Sequence, residues 1–103
     1  MRGGVLRLEA AHDSRGYEQF GTRYALVVQS DQLPLSTWLV APTSTSANPA
    51  TFRPEVQIQG RTTRVLAEQT AAVDPNRLGD SAGHLSFTEL RQLDAALRLV
   101  MNL

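Results

Sequence analysis

One hundred and three residues, 42% of them apolar, suffice for one modest core and not for two domains. Ten arginines, with no lysine, are balanced by ten Asp and Glu residues to a formal charge of zero, so bulk charge makes no case for nucleic-acid binding. Without cysteine there is no disulfide or thiol chemistry, two histidines cannot build a zinc site unaided, and no apolar run nears the ~20 residues that span a bilayer.

The chain opens on "MRGGVLRLEA", which lacks the apolar core of a signal peptide, and this together with the missing span predicts a soluble cytoplasmic protein. Val5, Leu6 and Leu8 form a short strand-like segment, and the polar, glycine-bearing residues 12–21 then read as a loop. Such a length is unusual in so small a domain and points to function or mobility. "TRYALVVQS" and "STWLVAPTS" are apolar through their middles, as strands buried on both faces are, and Pro42 is expected to end regular pairing of the second. "STSANPAT", residues 44–51, is loop punctuation. "FRPEVQIQ" is a less regular strand whose Pro54 suggests an edge or bulge, and "GRTTRV" is a turn into a fifth strand over residues 65–73.

"DPNRLG" predicts a turn or a single helical turn, and "SAGHL" a brief strand. After it, Ser86 and Glu89 fit the S-x-x-E capping box, and Leu90, Leu93, Leu97 and Val100 follow a helical stripe with Ala96, Met101 and Leu103 beside it. Arg91, Gln92, Asp94 and Arg98 are expected to face water. Five or so short strands and one terminal helix make an α+β domain, a small barrel or curled sheet with the helix packed on it.

"RGGV", "RGYEQFGTRYALVVQSD", "LVAPTST", "FRPEVQI", "VLAEQTAAVDPNRLG" and "LDAALRLVMNL" occur in the order seen in MazF/PemK-type toxins, and the chain resembles that family over essentially its whole length as a single toxin domain, residues 1–103. The most specific element is G-x-E-Q-x-G-x-R running into an apolar strand, followed some twenty residues later by Pro-Thr. The resemblance implies an SH3-like barrel of the CcdB/PemK type, mostly antiparallel with a C-terminal helix. It also implies a homodimer that cleaves single-stranded RNA sequence-selectively without a metal or other cofactor and is neutralised by an acidic antitoxin. Carried over, the catalytic arginine falls on Arg23, the threonine on Thr43 and the loop acid on Glu18, with Glu68 an alternative base. Gly4, Tyr24 and Ala71 depart from residues common in the family, and Tyr17 and Leu66 from the PemK-like histidine and arginine.

The chemistry suits those residue types. RNA carries its own nucleophile, the 2'-hydroxyl, and needs from the protein a base, a charge clamp and positioning. Arg23 suits the charge that develops on the phosphorane, Thr43 offers a hydroxyl donor, and Glu18 is a base if partial burial lifts its pKa. Arg15, Tyr17, Gln19, Phe20, Ser44 and Arg53 are the candidate RNA contacts, with Tyr17 and Phe20 as stacking platforms. His84 reads as a satisfied boundary histidine, while His12 is ambiguous. Two other functions compete: a catalytically inactive SH3-like interaction module, and a CcdB-like gyrase-binding toxin, which the lack of a tryptophan in the "LVMNL" ending disfavours.

Overall fold

A computed structural model describes residues 1–8 and 23–103. Among the described residues seven strands form one curled antiparallel sheet: β1 (Gly4–Leu8), β2 (Tyr24–Val27), β3 (Trp38–Ser44), β4 (Glu55–Ile58), β5 (Arg61–Val65), β6 (Ala71–Val73) and β7 (Leu78–His84), followed by the helix α1 (Phe87–Met101). The strand order is β4-β5-β3-β2-β1-β7, with β6 also paired to β3. This is the α+β architecture expected of the sequence.

Apolar residues fill both faces of the sheet's centre. On one face Val5, Leu26, Val28, Ala41, Val56, Ile58 and Val65 meet Leu93, Ala96 and Leu97 of α1. Ala25, Val27 and Val40 are buried in a second, smaller cluster with Leu6, Leu8, Trp38, Val73 and Leu78. The continuous apolar run of β2 follows from this, since alternate residues enter different clusters.

The helix starts where the capping box placed it. Ser86 Oγ accepts from Glu89 N–H at 3.1 Å, and Glu89 Oε1 accepts from Ser86 N–H at 2.9 Å. Its other carboxylate oxygen accepts from Gln57 N–H of β4 at 2.8 Å, so one acid caps α1 and ties it to the sheet. The helix ends at Asn102, which takes the left-handed conformation (φ 59°, ψ 46°).

Five expectations need correction. Val100, placed on the buried stripe, is exposed along with Met101 and Leu103, while Asp94, expected in water, is half-buried and pairs with Arg2 at 2.6 Å. Residues 65–73 are not one strand: β5 ends at Val65, a 3-10 turn takes Ala67–Gln69, and β6 follows. Val65 faces Thr43 and Ala71 faces Val40, so six steps of chain run beside three of β3, and the surplus is looped out as the turn. Pro42 does not end the pairing of β3; it lies opposite Ala25. Its missing N–H is harmless because β3 changes partner there, from β6 at Trp38–Val40 to β5 at Thr43 and Ser44, and its carbonyl accepts from Leu66 N–H at 2.8 Å. "GRTTRV" supplies β5 itself: Gln59 (φ 54°) and Gly60 (φ 77°) make the two-residue turn of the β4–β5 hairpin, where glycine takes positive φ without strain.

Candidate functional site

Arg23 sits just before β2, where its backbone carbonyl accepts from Leu8 N–H at 2.9 Å and so anchors it to the end of β1. Its half-buried guanidinium reaches the neighbouring strand, Nη2 donating to Thr43 O at 3.3 Å. Thr43 answers in the other direction, its hydroxyl donating to Tyr24 O at 2.9 Å. Two residues twenty apart in sequence are thereby locked side by side, with Thr43 only 4% exposed and its hydroxyl turned into the fold. Among the described residues Arg23 meets no carboxylate.

The strand end beside them carries further polar groups. Ser44 follows Thr43 on β3, and its Oγ accepts from Ser46 N–H at 3.2 Å, bending the chain into the connection that leads to β4. Ser44 lies opposite Arg64 of β5. Arg64 donates from Nη1 to Arg53 O at 2.9 Å and from Nη2 to Glu55 Oε2 at 3.0 Å. Arg53, one of the candidate RNA contacts, uses all three guanidinium nitrogens within the protein. Nε and Nη2 donate to Glu68 Oε2 at 2.9 and 2.7 Å, and Nη1 donates to Asn48 O at 3.2 Å. Its guanidinium carbon also stands 5.4 Å from the centre of the Phe52 ring.

Glu68, the alternative base, is carried on the 3-10 turn and is half-buried. Arg53's hydrogen bonds hold its carboxyl below the ordinary glutamate range, outweighing the effect of burial. Its Oε1 is buried and, among the described residues, has no hydrogen-bond partner. Of its two oxygens, then, one is buried and the other already accepts two N–H groups of Arg53.

Arg23, Thr43 and Ser44 thus come together, and Arg53 and Glu68 come together one strand away. Glu18, Arg15, Tyr17, Gln19, Phe20 and His12 lie outside the described residues. His84 bridges two backbone carbonyls, Leu85 O at 2.8 Å and Arg2 O at 2.9 Å, which is the satisfied boundary role expected of it. Trp38 belongs to the second apolar cluster. Among the described residues no three His, Asp or Glu side chains form a group able to hold a metal ion, and no helix is long and apolar enough to cross a membrane. The Arg53–Glu68 pairing was invisible to spacing. An acid and a base fifteen residues apart carry no local signal of contact until the turn at Ala67–Gln69 is known.

Residues 1–101 match the model of the PemK-like, MazF-like toxins of type II toxin-antitoxin systems. This chain belongs to that family. A Mycobacterium tuberculosis protein whose name designates it a candidate toxin is 36% identical over 104 residues, covering 100% of this chain and 98% of the relative. Among solved structures, an endoribonuclease from a mycobacterial species in complex with its cognate antitoxin superimposes with a TM-score of 0.79 at 19% identity, covering 100% of this chain and 95% of the other. A MazF from Deinococcus radiodurans gives 0.72 at 21% identity, with 99% and 96% covered. At these identities the structural likeness concerns the fold, and the family assignment rests on the sequence.

Proposed function

We propose that this MazF/PemK-family chain is a toxin that cleaves single-stranded RNA, with Arg23 as the charge clamp on the scissile phosphate. The observation that carries the reading is the Arg23 guanidinium: fixed at the strand end by the Thr43 carbonyl and, among the described residues, without a carboxylate to neutralise it. A clamp set in place before substrate arrives needs no reorganisation as charge develops on the phosphorane.

The reaction uses the substrate's own nucleophile. A base takes the 2'-hydroxyl proton, O2' attacks the adjacent phosphorus in line, and the P–O5' bond breaks. The departing O5' takes up a proton, leaving a 2',3'-cyclic phosphate and a free 5'-hydroxyl. No metal enters this scheme. Glu18 is the base in this reading, on the strength of the family motif. Thr43 serves chiefly through its backbone, since its carbonyl orients Arg23 while its hydroxyl is engaged with Tyr24 O.

The same reading makes the toxin a cytoplasmic homodimer, because exposed Leu99, Val100, Met101 and Leu103 leave an apolar helix end that a second subunit can cover. A cognate acidic antitoxin is the natural regulator, as in the antitoxin-bound endoribonuclease that shares this fold. Cleavage of an RNA oligonucleotide tests the function. Arg23→Ala should lower the rate at least ~100-fold, the scale of losing one preorganised donor. A single 2'-deoxyribose at the cut site should block cleavage while binding persists. An Arg23→Ala protein that cuts at the wild-type rate sinks the assignment, and a deoxy substrate that is still cut replaces the 2'-hydroxyl with water as nucleophile.

A further inference from the structure

Resting on that reading of the site, we propose that Arg53 and Glu68 are a positioning clamp that shapes the segment beside Arg23, rather than an RNA contact and a general base. The connection from β3 to β4 begins at Ser44, the neighbour of Thr43, and among the described residues carries few hydrogen bonds of its own. Its turn at Ser44–Ser46 is held by one side-chain oxygen. Its far end is gathered by Arg53, whose N–H donates to Ala50 O at 3.0 Å and whose Nη1 donates to Asn48 O at 3.2 Å.

Arg53 is in turn fixed from two sides. Arg64, opposite Ser44 on β5, donates to its carbonyl at 2.9 Å, and Glu68 takes both Nε and Nη2 on a single carboxylate oxygen. The route from Thr43 is continuous: Thr43 pairs with Val65, Leu66 N–H bonds Pro42 O, and Glu68 follows on the turn packed against β3. Glu68 therefore translates the position of the β3–β5 ladder into the position of the 45–52 backbone.

A base would need a lone pair facing substrate. Oε2 is saturated by Arg53 and Oε1 is buried, so the carboxylate is built to hold a guanidinium. Arg53 likewise commits Nε–H and one N–H of each Nη to Glu68 and Asn48, so the face of its guanidinium that pairs bidentately with an anion is already taken by Glu68. What RNA meets here is the backbone and small side chains of "STSANPAT", in the shape the clamp gives them.

The experiment is amide hydrogen exchange on the full-length protein, wild type, Glu68→Gln, Arg53→Lys and Glu55→Gln, followed by cleavage kinetics on the same samples. Glu68→Gln and Arg53→Lys should each speed exchange of the hydrogen-bonded amides of this connection, Ser46 N–H and the N–H of residue 53, by about tenfold or more, the scale of losing a charge-assisted hydrogen bond, while amides of α1 stay unchanged. Glu55→Gln breaks the neighbouring Arg64 ion pair and should leave those two amides exchanging nearly as in wild type. In cleavage, Glu68→Gln should raise KM with kcat within a few-fold and leave the pH profile in place. Unchanged exchange in Glu68→Gln overturns the clamp, and so does a ~100-fold kcat loss with the acid limb of the pH profile abolished, which marks a base. If the wild type cuts no RNA, the nuclease reading falls, and the exchange data still decide the clamp.

Discussion

Thr43→Val separates a structural hydroxyl from a catalytic one. The side chain is 4% exposed, and its Oγ1 lies 2.9 Å from Tyr24 O. Valine has nearly the same shape, so no cavity opens, but the Tyr24 carbonyl loses a donor inside the fold. A lost hydrogen bond that strands a buried acceptor is worth about 1–2 kcal/mol. For a domain of this size that lowers Tm by roughly 5–10 °C, measured at one fixed protein concentration. Thr43→Ser keeps the donor and should recover most of the loss. The carbonyl that holds Arg23 belongs to the backbone and survives the substitution. Cleavage by Thr43→Val, assayed well below its Tm, should therefore fall less than about tenfold, whereas a hydroxyl that donates to the phosphorane would be missed by ~100-fold or more. A large kcat loss with an unshifted Tm would refute the reasoning.

Acid should destabilise the protein through three carboxyls held below their ordinary pKa. Arg53 does this to Glu68 and the N-terminal ammonium, with Arg2 N–H, does it to Asp31; at Glu89 burial pushes upward but the N–H groups of Ser86 and Gln57 outweigh it. A depressed folded-state pKa adds stability above the unfolded value and loses it as pH falls through the folded one, so denaturant midpoints should hold steady at neutral pH and drop below the unfolded pKa values, 3.8 for Asp and 4.5 for Glu. Midpoints that rise on acidification would contradict this assignment. Activity should persist in EDTA, because the proposed nucleophile is the substrate's own hydroxyl; loss reversed by added divalent ion would overturn that.

Local signals made much of this fold legible. The S-x-x-E spacing located the helix start because both partners of the capping box lie within one turn, and the apolar runs of β2 and β3 marked strands buried on both faces. Failures came where tertiary pairing overrode local pattern. "VLAEQTAAV" looks extended throughout, yet β3 has room for only part of it, and the excess became the turn that carries Glu68. Pro42 looked like a terminator because nothing in sequence says that β3 changes partners there. Val100 had the right helical phase but lies where α1 has run past the core. For the site, Arg23 and Thr43 were singled out by family motif, while their mutual bonding is a property of the β2–β3 register.

How a neutral chain binds a polyanion turns on which arginines are already occupied. Arg2 is paired with Asp94, Arg53 with Glu68 and Arg64 with Glu55, so much of the positive charge is cancelled within the fold. Arg23 has only a carbonyl for company among the described residues. Counterion release measures this directly, because each phosphate neutralised on single-stranded nucleic acid adds about −0.7 to the slope of log K against log salt concentration. Binding of a non-cleavable deoxy-substituted RNA to wild type should show a shallow slope. Arg23→Ala should flatten it by about 0.7 per site, while Arg53→Ala should weaken binding with the slope nearly unchanged, since its charge is already spent on Glu68. A slope that flattens equally in both variants would mean that Arg53 leaves Glu68 for phosphate when RNA arrives.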